Sequence, residues 1–322
     1  MTLYARAAKR DSLPRSGGGV WGARRQGPPF QCGRMLTRET LQKIRRIQIR
    51  TRTILESGIS GAYHAVFKGR GMEFAEVREY EPGDDLRTID WNVTARMGTP
   101  YVKKFVEERD LALLLLVDVS GSQRFGSRFL VKRDFAAELS AVLAFSAVAN
   151  SDRVGAVLFT DRVESYIPAR RGREHALRII RDILALEPKG TGTDLAGALR
   201  FAQRVMKRRG IVVVLSDFQA EKYERPLGIL RRRHDVVALH LWDPRESEVP
   251  DAGLVAVLDP ETGERFVVDT RDPAVRRRLR AATLHEAKDV FRRANVDVLP
   301  LSTAESYEAP LATFFKSRER RR

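Results

Sequence analysis

The chain has 322 residues, enough to bury a large core, and its 43% apolar and 31% charged content is ordinary for a soluble globular protein. Its single cysteine, Cys32, excludes a disulfide framework and a cysteine-based zinc site and points to a reducing, cytoplasmic setting. The formal charge of +16 sits mainly at the ends: residues 1–50 carry +10 and Lys316–Arg322 carry +4, which leaves +2 for the body. Solubilising ends are the plain reading of that distribution, and nucleic-acid binding through them is the alternative.

Residues 1–34 are rich in Gly, Pro and Arg ("SGGGVWGARRQGPPF") and are expected to be a disordered, dispensable basic arm. They lack the apolar stretch of a secretory signal. At Met35, a second candidate start, the texture changes. Residues 35–60 are predicted to be helical, with Thr37 as N-cap and Leu41, Ile44, Ile47 and Ile54 on one stripe that Ile49 leaves.

Residues 61–110 are mixed and turn-punctuated, as small β-rich subdomains are. Arg70, Arg78, Arg87 and Arg96 alternate there with Glu76, Asp84, Asp85 and Asp90. An ion-pair network tying this piece to the next domain is the simpler expectation, and a charged recognition surface the other.

From 111 to 315 the pattern is regular. Apolar runs ("LALLLLV", "RVGAVLFT", "IVVVLSD", "VVALHLW", "VDVLPL") alternate with helix-like stretches at 129–149, 173–186, 194–208, 223–233 and 273–294. Continuous apolar runs imply strands buried on both faces, hence an α/β fold with a mostly parallel sheet flanked by helices. "LVAVLDPETGERFVVDT" predicts a β-hairpin inserted after the 236–242 strand. Residues 316–322 are expected as a basic tail. No segment reaches the roughly 20 apolar residues of a membrane-spanning helix. "LALLLLV" is too short, and "FAAELSAVLAFSAVAN" holds Glu138 and follows Lys132-Arg133-Asp134.

In an open parallel sheet, ligands bind beyond the carboxyl ends of the strands. The first strand of the regular region ends in Asp118-Val119-Ser120-Gly121-Ser122, and "IVVVLSDF" ends in Ser216-Asp217. Between them "KGTGTDLAGAL" places Thr191, Thr193 and Asp194 on a Gly-rich loop that opens a helix. Carboxylates and hydroxyls gathered at one edge suit a hard cation such as Mg²⁺ or Mn²⁺. Each piece alone has a plainer reading, Asp-x-Ser as a turn and Thr193 or Asp194 as an N-cap.

The order Asp118-x-Ser120-x-Ser122, Thr193, Asp217 resembles the metal-ion-dependent adhesion site of von Willebrand factor type A domains. The resemblance implies that Ser120, Ser122 and Thr193 ligate the metal, that Asp118 and Asp217 act closely or through water, and that a partner protein supplies an Asp or Glu. Phe218 stands where many members of that family have Gly. The string from Arg78 to Trp91 ("REYEPGDDLRTIDW"), with "LDPETGERFVVDT" and "LPLSTAESYEAPLATFF", is similar to the bacterial family called domain of unknown function 58. That resemblance, which runs from about Met35 to the C-terminus, implies partnership with a MoxR-type AAA+ ATPase or its client in chaperone-like complex assembly. Many members carry transmembrane segments.

The expectation is therefore a non-enzymatic, metal-dependent protein-binding module. A metal-dependent hydrolase or phosphatase is the alternative. Against it, Asp118-x-Ser120 lacks the second acid of an aspartyl-phosphate phosphatase, none of His64, His175, His234, His240 and His285 stands at a strand end beside a nucleophile, and "KGTGTD" lacks the lysine of a P-loop.

Overall fold

A computed structural model describes residues 37–55, 60–67, 72–107, 111–126, 131–247, 251–259, 261–275 and 285–321. The basic arm at 1–34, Met35 and Arg70 lie outside these.

Helix α1 (Arg38–Ile54) begins where Thr37 Oγ1 accepts the amide of Thr40. Ile47 and Ile54 are buried, Ile49 faces solvent, and Leu41 at the start of the stripe stays exposed. Helix α2 (Ser60–Phe67) sends Tyr63 and Val66 into the main core. A small unit follows: β1 (Met72–Glu79) pairs antiparallel with β2 (Tyr101–Glu107), and a 3₁₀ turn (Leu86–Thr88) and α3 (Trp91–Met97) lie between them. Its charges are used locally. Arg78 pairs with Asp84 at 2.7 Å and Lys103 with Asp90 at 3.3 Å, while Asp85 and Asp90 cap the 3₁₀ turn and α3.

The main sheet has the order β10–β7–β6–β3–β4–β5. Its strands are β3 (Ala112–Asp118), β4 (Arg153–Phe159), β5 (Val163–Arg170), β6 (Ile211–Ser216), β7 (Asp235–Trp242) and β10 (Asp297–Ser302), all parallel except β5, which runs antiparallel to β4. Successive side chains of a strand point to opposite faces. Leu113, Leu115 and Val117 of β3 accordingly enter one core and Leu114 and Leu116 the other. The first core is covered by α1, α2, α4 (Lys132–Ala149) and α5 (Arg173–Ala185), together with α10 (Glu308–Arg320). The second is covered by α6 (Leu195–Val205), α7 (Glu224–Arg233) and α9 (His285–Ala294). A short α8 (Pro244–Ser247) follows β7, and the expected hairpin forms from β8 (Leu254–Leu258) and β9 (Arg265–Asp269). Among the described residues no helix is long and apolar enough to cross a membrane.

The chain leaves β3 toward β4 and later returns to β3's other side with β6, so the strand order reverses at β3. That is the switch point at which such sheets bind ligands.

The basic run at 316–322 is largely continuous with α10 rather than a solvated tail. Arg318 is only 4% exposed and donates to Asp235 and Asp297, each at 2.7 Å. Two strand-start carboxylates draw this guanidinium into the molecule, so part of the C-terminal charge is structural. Breaking a buried pair by removing one partner costs about 3–5 kcal/mol. Arg318→Ala is expected to lose that much in urea unfolding, and a loss below about 1 kcal/mol, the scale of a surface pair, would refute a structural role.

Candidate functional site

The site is assembled from the tips of β3 and β6, the start of α4, the loop between α5 and α6 and the short helix after β7. β3 delivers Asp118 fully buried. Its Oδ1 accepts the amide of Ser120 at 2.9 Å, which folds the chain back so that Ser120 follows the strand end directly. Its Oδ2 accepts the hydroxyl of Ser216 at 2.7 Å. Ser120 Oγ and Ser122 Oγ stand 3.1 Å apart across a short 3₁₀ turn (Gly121–Arg124). Asp217, at the tip of β6, is hydrogen-bonded with Ser122 and is also buried. Asp118, Ser120, Ser122 and Asp217 are thus brought together.

Thr193 comes to this edge on the loop between α5 and α6. Its loop is pinned by the backbone of Thr160, whose carbonyl accepts the Asp194 amide at 2.8 Å, and by Glu164, whose carboxylate accepts the amides of Lys189 and Gly190. A Cβ at Gly190 would press on the Asp161 carboxylate and the Thr160 hydroxyl, so a larger residue there would require those side chains to move. The loop meets the β3 tip through Gly121 N–H donating to the Thr191 carbonyl at 2.9 Å. The Thr193 hydroxyl donates to Glu261 Oε1 at 2.8 Å, in the turn of the inserted hairpin. Asp194 takes its plainer role, capping α6 by accepting the Gly197 amide.

Four side chains important to the site are missing from the sequence-based set. Ser216 orients Asp118, and Glu261 holds Thr193. Lys132, fully buried at the start of α4, donates to Asp217 Oδ2 at 2.9 Å and lies 2.5 Å from Glu246 Oε1, which follows β7. Lys132 opens the charged first turn of α4 and Glu246 lies in "WDPRE" just beyond a strand end, and neither shows its partner in the sequence.

Phe218, after Asp217, has φ 54°. This left-handed backbone costs a non-glycine residue about 1–2 kcal/mol. Burial offsets that cost, because the Phe218 ring packs edge-on against Phe291 at 4.8 Å and near Tyr223 and His240. The turn that glycine would make freely is held here by an aromatic cluster. Burial also pushes the His240 imidazole down to about 4, keeping it neutral behind the site.

The charges are unevenly balanced. Burial pushes the Asp217 carboxyl up, but the Lys132 ammonium outweighs it and holds the group below its ordinary range. Lys132 is opposed by its own burial yet held above its ordinary value by Asp217 and Glu246. Asp118 has no cation of its own among these contacts. Burial, and then the neighbouring Asp217 charge, push it up to about 7. The folded chain thus keeps the Asp118 proton up to about pH 7, whereas an unfolded one releases it near the ordinary aspartate value of 3.8. Between those values the native state binds more protons, so this group makes stability fall as pH rises through that window. Asp217 acts oppositely and lower, its contribution being lost as pH falls through its depressed folded value. Melting temperature in EDTA should decline from about pH 4 to about pH 7, and Asp118→Asn should flatten the decline. An unchanged slope in that variant would contradict the assignment.

Residues 76–289 match the model of the family described as "Protein of unknown function DUF58". Uncharacterized protein Rv1480 of Mycobacterium tuberculosis is 35% identical over 286 residues, covering 86% of this chain and 89% of its own length. Uncharacterized protein MAV169 of Mycobacterium avium is 37% identical over 164 residues, 48% of this chain and 94% of its own. Uncharacterized protein YeaD of Bacillus subtilis is 28% identical over 128 residues, 40% of this chain and 30% of its own. Among solved structures, conserved hypothetical protein BatB from Bacteroides thetaiotaomicron is similar at TM-score 0.44 and 15% identity, over 66% of this chain and all of its own. The SpRpn10 VWA domain is similar at TM-score 0.36 and 12% identity, over 62% of this chain and 93% of its own. These structural likenesses are low, and the fold assignment stands on the strand order given above. On the family model and the 35% relative, this chain belongs to the DUF58 family.

Proposed function

We propose that the chain is a non-enzymatic, metal-dependent protein-interaction module whose docking point is a Mg²⁺ or Mn²⁺ ion held at the tips of β3 and β6. The observation that carries this reading is the convergence of Asp118, Ser120, Ser122 and Asp217 at the switch point, with oxygen as their only donor atom. Hard cations take such ligands, and soft thiolates or imidazoles are absent from the set. Among the described residues no three His, Cys, Asp or Glu side chains are grouped to hold a metal, so a cation here would depend on the hydroxyls. The donor set fits in a second respect: Asp118 is buried and short of a counter-charge. Ser120, Ser122 and Thr193 would ligate the ion, Asp118 and Asp217 would act closely or through water, and Ser216 and Lys132 would position the two carboxylates. When bound, the ion supplies a Lewis-acidic position for one further anionic oxygen.

An Asp or Glu of a partner protein would supply that oxygen. The partner we propose, by family resemblance, is a MoxR-type AAA+ ATPase or its client, working in complex assembly in the cytoplasm. One coordinate bond is not an interface, since stable ones bury about 1,200–2,000 Å². Residues 119–126 after β3 and 218–223 after β6 flank the ion position and would supply area.

The test is calorimetric titration with MgCl₂ and MnCl₂, then capture of partners from the native host with and without EDTA. Asp118→Ala should abolish ion binding, and Ser216→Ala should weaken it about 10–100-fold, as expected for a residue orienting a ligand. The EDTA-treated protein should stay folded, because the apolar strands hold the sheet. Partner capture should be lost in EDTA and in Asp118→Ala, and should survive removal of residues 1–34. Identical partners under all conditions would overturn the metal's role, and metal-dependent turnover of a general phosphoester would favour the hydrolase.

A further inference from the structure

The inserted hairpin reaches the site through one residue. Glu261 accepts the Thr193 hydroxyl at 2.8 Å through its carboxylate and the Thr191 hydroxyl at 2.8 Å through its main-chain carbonyl. Its carboxylate is presented rather than free to sweep. Buried Asp259 accepts the amides of Glu261 and Thr262, and the Gly263 amide closes the turn on the Asp259 carbonyl. Gly263 has φ 74°, a conformation that favours glycine and lets β9 turn back. Behind this tip the hairpin stands apart from the main sheet. It forms a separate two-stranded sheet with a small cluster of its own around Val255 and Val257, and Leu254 and Val267 point into solvent. Such elements open at low free energy.

We infer that Glu261 is a built-in competitor: it occupies the Thr193 side of the site, where an acidic partner residue would arrive, so the hairpin must lift before a partner can dock. This rests on the proposed ion-centred docking. The chemistry matches, because a carboxylate on a turn is what the partner would bring. Charge supports it as well. Asp118, Asp217 and Glu246 against Lys132 leave two negative charges when all are ionised, which one divalent ion balances. One more carboxylate is then tolerable, and a second beside the first is repelled. Glu261 and the partner's acid therefore exclude each other. Displacing Glu261 frees the hairpin, whose exposed Leu254 and Val267 can then be covered by the same partner.

Two measurements test this separately from the metal reading. In EDTA, hydrogen exchange of peptides spanning 251–270 should quicken about tenfold in Glu261→Ala and in Thr193→Val, the scale expected on losing a hydrogen bond to a charged group. No change in either variant would overturn the clamp whether or not a metal binds. With Mn²⁺ as probe, water-proton relaxivity should be higher in Glu261→Ala than in wild type, because the covered position opens to solvent. Equal relaxivity with Mn²⁺ bound in both would overturn the competition. If Mn²⁺ binds neither protein, the docking reading fails, and with it the competition built on it.

Discussion

The site depends on one buried ammonium. Lys132 is fully enclosed, and it joins three pieces of chain that are far apart in sequence: the first turn of α4, the tip of β6 through Asp217, and the segment after β7 through Glu246. Burying such a cation is costly unless its partners are close and numerous. Here two carboxylates approach it, and the main chain is fixed by the Lys132 amide donating to the Phe125 carbonyl at 2.8 Å. The gain is positional. With Asp217 tied at one oxygen, its other accepts the Gln219 amide at 3.3 Å, and the carboxylate has little freedom to rotate.

That constraint matters because the sheet alone would leave the edge undetermined. β3 and β6 are apolar on both faces and registered in parallel, Leu113 opposite Ile211 through Val117 opposite Leu215. This packing fixes where the strands end, but not how their polar tips point. Orientation comes from a second set of bonds: Ser216 to Asp118, the Ser120 amide to the same carboxylate, and Gly121 to the Thr191 carbonyl. Stability and site geometry are carried by different interactions, and for that reason loss of an ion need not unfold the protein.

The division also explains what could be read from the sequence. The sheet, its helices and the hairpin follow from local pattern, and the strand-end rule located Asp118 and Asp217 because each closes an unbroken apolar run. Ser120 and Ser122 followed from their spacing to Asp118. Lys132 and Glu246 are hidden because nothing local to either residue says that they pair with each other, or that Lys132 also pairs with Asp217, 85 positions away. Ser216 was visible beside Asp217 but passed as a strand terminus. Glu261 was read only as part of a turn, since hairpin turns are normally solvated. Asp194 shows the opposite error to avoid: a carboxylate in the right loop can be nothing more than a helix cap. The Arg318 pair belongs to the same class as Lys132, a charge in a basic run whose partners, Asp235 and Asp297, meet it only in the folded sheet.

Lys132 also bears on which ligands the edge can take. A lysine ammonium is a compact point charge with donors only, so it can pair with both Asp217 and Glu246, offsetting one of their two charges, but cannot supply a coordination position. It offsets one unit of negative charge in the interior without itself bonding to the hydroxyls of Ser120 and Ser122, which stand 3.1 Å from each other. A cation at those hydroxyls would therefore meet Asp118, the carboxylate without a counter-charge, before it meets Asp217, whose Oδ2 is already engaged. The asymmetry predicts unequal roles for two acids that the sequence presents as equivalent. Asp118 is the charge an ion would answer, and Asp217 is the strut that keeps Ser122 in place for it.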